Sequence, residues 1–376
     1  MSKTVVKDAH PSRLAVPAVR QLAPYIPGKP IGELTREYGV QDIIKLASNE
    51  NPYGPSSGSL AAMRQALDGL WLYPDGSSHD LKAALAEHLS VDPACITLGN
   101  GSNDLLVLLA ESFLTPATNA IYSQHGFAIY PLVIRATGAR VIEVPALGDD
   151  SSMPLGHDLD AMLASIDAQT RLVFIANPNN PTGTWAQPDA VREFVRRAGP
   201  DTLVVLDEAY FEYGRLRGTQ DGIAWLTDSP NLVVTRTFSK AYGLAGARVG
   251  YAVSHPDVAD VLNRLRAPFN VNSIAQAGAL AALADAAHMQ RSTEATMREL
   301  ARVEAAIKTM NLWSAPSATN FLLLRTGVAA SQIYDRLLRD GVIVRPIGGL
   351  PDALRISIGM PAQNDRMLAA LKRAMS

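Results

Sequence analysis

Between residues 95 and 239 the chain alternates short apolar runs with segments of helical period, and nothing else in it restricts the fold as strongly. The strand-like runs are CITLG, NAIYS, RVIEVP, RLVFIAN, LVVLDEA and NLVVTRTFS, and among them lie DLLVLLAESFL, YPLVIRATG, DLDAMLASI and DAVREFVRRAG. Runs this short and this apolar fit strands covered on both faces. Helical crossovers between them bring neighbouring strands into parallel order. The alternation therefore predicts an α/β fold, with a mostly parallel sheet flanked by helices.

The flanks read differently. Residues 1–50 are rich in proline and short apolar groups and read as an N-terminal arm that forms part of a smaller domain. SLAAMRQALDGL, the turn YPDGSS and HDLKAALAEHL open the large domain, expected over 51–270. Residues 255–311 are helical in pattern and bridge to a second unit. There NFLLLRTG, SQIYDRLLRDG, VIVRPIG, LRISIG and DRMLAALKRAM alternate on a smaller scale, so 271–376 is read as a linking helix and a small α+β domain.

Composition narrows the chemistry. A formal net charge of −2 gives no global field for nucleic acid or an anionic membrane, so an anion site must be local. The single cysteine, Cys95, excludes an internal disulfide and argues against a thiolate metal site. Seven histidines without paired spacing leave no metal expected. The polar start MSKTVVKDAHPSRLAVPAVR has no apolar signal core, and no run of 18 apolar residues exists. The expectation is a soluble cytoplasmic protein with no membrane partner.

In open α/β sheets ligands bind beyond the carboxyl ends of strands. Four such ends run into polar or small residues: TLGNGSND, FIANPNNPTGT, VVLDEAY and TRTFSKA. In the first, Gly99 and Gly101 precede a helix expected near Asn103. That makes either an ordinary strand–helix turn or an anion cradle of free N–H groups. No acid stands at the tip of AIYS, and Asp104 occupies the place of a third glycine, so a dinucleotide fingerprint is absent. Asn180, in the second, is turn chemistry or an amide for a ring oxygen. Asp207 ends a buried run and must cap a helix or meet a cation. Tyr210 follows three residues on. Lys240 sits among small residues, where burial can lower its pKa and fit it for a Schiff base and proton transfer. Thr237, Ser239 and, eight positions beyond the lysine, Arg248 offer hydroxyls and a bidentate fork to a phosphate.

Together these groups complement pyridoxal phosphate: a lysine for the carbonyl, an acid for the pyridine nitrogen, an amide and a phenol for the ring oxygen, and donors for the phosphate. At this point the chain resembles the class I/II aminotransferases of fold type I. NPNNPTG, DEAY and SKAYGLAGARVG carry the resemblance, which runs from SNENPYGPS at 48–56 to LRISIG at 354–359. Within the class the chain is most similar to the histidinol-phosphate aminotransferases.

The resemblance implies pyridoxal 5'-phosphate as cofactor, bound through Lys240, with Asp207 on the ring nitrogen and Asn180 and Tyr210 on the ring oxygen. It implies Ser102, Asn103, Thr237, Ser239 and Arg248 around the phosphate, and Phe127, in QHGFAIY, stacked on the ring. It implies a homodimer in which Tyr73, in LYPDG, reaches the partner's phosphate. Tyr25, Asn51, Asn320, Arg345 and Arg355 match substrate-binding positions. The implied reaction takes L-histidinol phosphate and 2-oxoglutarate to imidazole-acetol phosphate and L-glutamate. An aromatic aminotransferase and a threonine-phosphate decarboxylase share similar motifs. A DNA-binding regulator on the same fold would need a basic module ahead of SNENP, where prolines 11, 17, 24, 27 and 30 stand instead.

Overall fold

A computed structural model describes residues 11–376; the first ten residues of the expected N-terminal arm lie outside the described residues. The arm contributes one short strand, β1 (Ile44–Lys45). The central layer is a seven-stranded sheet of β2 (Ile96–Gly99), β3 (Asn119–Ser123), β4 (Arg140–Val144), β5 (Thr170–Ala176), β6 (Leu203–Asp207), β7 (Leu232–Thr237) and β8 (Gly250–Ser254). Their order is β2-β8-β7-β6-β5-β3-β4. β4, β3, β5, β6 and β7 are mutually parallel, while β8 runs antiparallel to both of its neighbours.

The expected strands form for the expected reason. β6 (LVVLD) and β7 (LVVTRT) are buried almost throughout, because one apolar cluster covers each face of the sheet. The edge strand β4 is largely exposed and carries Arg140 and Glu143 outward. The alternation of the sequence does not mark GYAVS as a strand. Its insertion between β2 and β7 closes that side of the sheet and brings the β2 end next to the β7 end.

The helical stretch expected at 255–311 is three helices, Pro256–Leu265, Ser273–Ala284 and Ala286–Thr309. Each break has a local cause: Asn272 and Asp285 accept the amides of Ala275 and His288, and so start new helices. The C-terminal part forms a four-stranded antiparallel sheet from β9 (Trp313–Ser314), β10 (Phe321–Arg325), β12 (Arg345–Ile347) and β13 (Leu350–Ser357), in the order β12-β13-β10-β9. β11 (Val342–Ile343) pairs in parallel with β1, so the arm is stitched to the C-terminal unit. Ile44 and Leu46 belong to that unit's apolar core.

The register matters for function. Ala176 of β5 lies opposite Asp207 of β6, and Asp207 opposite Thr235 of β7. β5 and β6 thus end level and β7 runs two residues further, and the polar residues that follow the three strands are delivered to one edge. Across that edge lies β13, whose Arg355 and Ser357 face the arm.

Candidate active site

A cleft of about 640 Å³, counting its open mouth, lies at this edge. It is the size of a small-ligand site. Ser102, Asn103, Phe127, Asn180, Asp207, Tyr210, Thr237, Ser239, Lys240 and Arg248 all line it. Residues spread over nearly 150 positions of sequence therefore meet in one place.

At the inner end Asp207 is 4% exposed. Burial raises the pKa of its carboxyl, and two hydrogen bonds oppose that: from the Tyr130 hydroxyl at 2.8 Å and from the Ala209 N–H at 3.2 Å. A buried carboxylate held in this way still calls for a cation. Tyr130 is the residue that reasoning from sequence missed. It lies three residues beyond Phe127, stacks on Phe174 at 4.9 Å and meets Phe127 edge-on at 5.8 Å. One aromatic cluster thereby fixes both the acid and the Phe127 wall.

Lys240 projects from the turn after β7, with its Nζ 3.2 Å from the Ser48 carbonyl. Burial pushes its ammonium down to about 8, and the guanidinium groups of Arg355 and Arg248 push the same way. A lysine in that range can both give and take a proton near neutrality. Tyr210 is backed by the edge of Phe321 at 5.3 Å, and burial pushes its phenol up to about 12. Such a phenol keeps its proton at neutral pH and has an O–H to donate.

Asn180 is oriented from outside the cleft. Arg355 donates Nη1–H to its Oδ1 at 2.6 Å and Nη2–H to the Ala47 carbonyl at 2.6 Å. That bond leaves the Asn180 amide hydrogens for the cleft.

The outer end is built for an anion. The helix Ser102–Phe113 starts one residue earlier than expected, after Gly101 at φ 85°. A Cβ on Gly101 would stand 2.4 Å from Arg248 Nη2, and one on Gly250 would stand 2.5 Å from the Ser102 amide nitrogen. Gly101 leaves room for the fork, and Gly250 lets β8 approach the start of the helix. Arg248 itself has φ 65°, and its guanidinium reaches the Ala245 carbonyl at 3.0 Å and Ser239 Oγ at 3.4 Å. A helix N-terminus, the hydroxyls of Ser102, Thr237 and Ser239 and a guanidinium converge, with no carboxylate lining this end among the described residues.

The remaining expected residues lie elsewhere. Arg345 donates to the Ile26 carbonyl at 2.6 Å, and its guanidinium stands 5.7 Å from the ring of Tyr25, which is 48% exposed. Tyr73 is 83% exposed and stacks on Phe269 at 4.8 Å, away from the cleft of its own chain. Asn51 and Asn320, like Tyr25, Arg345 and Arg355, are not among the residues lining this cleft. Asn51 donates to the Ala241 carbonyl at 2.8 Å and to Ser292 Oγ, and Asn320 donates to the Asn49 carbonyl at 3.0 Å. Both amides are committed to backbone, where they hold the lysine turn and the arm.

Comparison with known proteins agrees with this architecture. The family model for aminotransferase class I and II matches residues 41–371. "Histidinol-phosphate aminotransferase 2" of Pseudomonas fluorescens (strain Pf0-1) is 51% identical over 367 residues, 96% of this chain and 98% of the relative. The protein of the same name from Methylococcus capsulatus is 50% identical, with the same two coverages. Among solved structures, histidinol-phosphate aminotransferase from Sinorhizobium meliloti, in complex with pyridoxal-5'-phosphate, superposes with a TM-score of 0.88 at 35% identity. That match covers 96% of this chain and 97% of the other. The chain belongs to the class I and II aminotransferases.

Proposed function

We propose that this protein transfers the amino group of L-histidinol phosphate to 2-oxoglutarate in histidine biosynthesis, with pyridoxal 5'-phosphate bound in the cleft. The observation that carries the reading is the pairing, in one cleft, of a buried acid and a lysine of lowered pKa with an anion cradle that glycines keep open. The residues fit the cofactor at each end. Asp207 meets a pyridinium, Asn180 and Tyr210 offer donors to the ring oxygen, and Phe127 walls the ring. Ser102, Asn103, Thr237, Ser239 and Arg248 take the phosphate. Bound there, pyridoxal phosphate supplies a carbonyl that takes up an amine and a protonated ring that draws off an electron pair.

This chain's residues do the rest. Lys240 holds the carbonyl until a donor amine displaces it. It would then take the proton from the donor carbon and deliver it to the former carbonyl carbon of the cofactor, on the far side of the nitrogen, as base and then acid. Asp207 stays ionised beside the ring nitrogen and keeps that nitrogen protonated. The same residues act in reverse when 2-oxoglutarate is the acceptor.

Arg345, Arg355 and Tyr25 form the substrate end, where a phosphate and a carboxylate can share guanidinium partners. The names of relatives near 50% identity favour histidinol phosphate over an aromatic amino acid or threonine phosphate. The exposed Tyr73–Phe269 stack supports a homodimer in which Tyr73 completes the neighbouring cleft. Mixing Tyr73→Phe with Lys240→Ala subunits should then regain activity, and no gain on mixing would place Tyr73 outside the chemistry. A single cysteine and biosynthetic relatives support a cytoplasmic location.

Arg345→Gln tests the substrate. Efficiency with histidinol phosphate should fall by about 1.5–3 kcal/mol, the worth of a hydrogen bond to a charged group. Efficiency with phenylalanine should change much less. Saturation curves for both donors at one salt concentration decide the matter. Equal losses on both donors would move the assignment to an aromatic aminotransferase.

A further inference from the structure

Asn49 belongs to the SNENP segment and has no assigned part in the reaction, yet it is 1% exposed and holds a left-handed φ of 56°. One orientation of its amide gives every group a partner; turned over, it would leave the buried Ser357 hydroxyl hydrogen without an acceptor. The Asn49 amide N–H donates to Ser357 Oγ at 2.9 Å. The Ser357 hydroxyl donates back to Asn49 Oδ1 at 2.8 Å. Asn49 Oδ1 is thereby fixed toward β13, and Nδ2 must face the other way. There it donates to the Tyr210 hydroxyl oxygen at 2.8 Å. An amide Nδ2 only donates, so the phenolic oxygen is the acceptor in that bond. The Tyr210 hydrogen is left for the cleft that Tyr210 lines.

The geometry points to Asn49, locked by Ser357, as a positioning residue that turns the Tyr210 O–H into the cleft. Ser357 lies two residues beyond Arg355, which orients Asn180. One strand of the C-terminal unit therefore aims both donors that converge on the ring oxygen. The inference rests on the reading of Tyr210 as such a donor.

Asn49→Asp tests it, because the shape and the left-handed backbone are tolerated while the donor becomes an acceptor. The Tyr210 proton would then turn to the new carboxylate. Turnover of the holoenzyme should fall roughly tenfold, and the dissociation constant of pyridoxal phosphate, measured by titrating the apoprotein, should rise by a similar factor. KM for the amino donor should stay within about twofold of the parent, since the substrate end is untouched. Tyr210→Phe should show the same losses. In the Tyr210→Phe background, Asn49→Asp should add less than about a twofold change.

Ser357→Ala, which unlocks the amide without adding charge, gives a smaller loss in the same direction and serves if Asn49→Asp does not fold. If Asn49→Asp multiplies the Tyr210→Phe defect by its full factor, or leaves turnover and cofactor affinity at parental values, the positioning role is overturned. If Tyr210→Phe is itself unimpaired, the donor reading of Tyr210 fails first, and the inference falls with it.

Discussion

Lys240→Ala is expected to lose turnover by about four orders of magnitude or more, because in the proposed reaction it removes both the acid–base group and the covalent holder of the cofactor. The size follows from its surroundings. Burial and two guanidinium groups bring the ammonium down to about 8, so at neutral pH it gives up its proton far more readily than a surface lysine. Lys240→Arg should be about as inactive, since a guanidinium does not deprotonate in this range. Single-turnover measurements on both variants with histidinol phosphate give the loss. Borohydride added to the parent with pyridoxal phosphate should fix one cofactor on the Lys240 peptide. Turnover of Lys240→Ala within tenfold of the parent, or an adduct on Lys45, would refute the role.

The second large effect is at Asp207. Replacement by asparagine keeps an oxygen for the Tyr130 hydroxyl and removes the charge. Breaking a buried charge pair costs about 3–5 kcal/mol. Expressed on the barrier, that is roughly two to four orders of magnitude in rate. The rate of proton removal from the donor carbon should fall more than the affinity for the donor amine, because the charge matters most when the ring carries the electron pair. A primary isotope effect with α-deuterated donor that rises in Asp207→Asn would report this. Near-normal turnover in that variant would contradict it.

Much of the fold could be read from sequence because its strands are buried on both faces. Runs such as LVVLD and RLVFIA announce themselves, and the polar residues just past them mark the ligand edge. GYAVS escaped notice because five residues with one valine and one tyrosine carry no strong period, and only its two neighbours make it a strand. The arrangement around Arg248 was legible in part. Gly99 and Gly101 marked the turn, but that Gly101 is the residue whose missing Cβ admits the Arg248 fork, 147 positions downstream, shows only in the folded chain.

Tyr130 and Asn49 were illegible for a different reason. Each acts through a hydrogen bond to a residue 77 or 161 positions away, and nothing local signals such a partner. Asn51 and Asn320 are similar: their bonds to the Ala241 and Asn49 carbonyls, 190 and 271 positions away, carry no local signal either.

The central claim is that this cleft takes the amino group from histidinol phosphate. The most direct measurement is the half-reaction of the pyridoxal-phosphate-loaded protein with one donor at a time, following the visible absorbance of the bound cofactor. Histidinol phosphate and glutamate should each convert the cofactor to its aminated form, with histidinol phosphate reacting faster than phenylalanine, tyrosine or aspartate. Conversion led by phenylalanine or tyrosine, or no conversion by histidinol phosphate, would contradict the account.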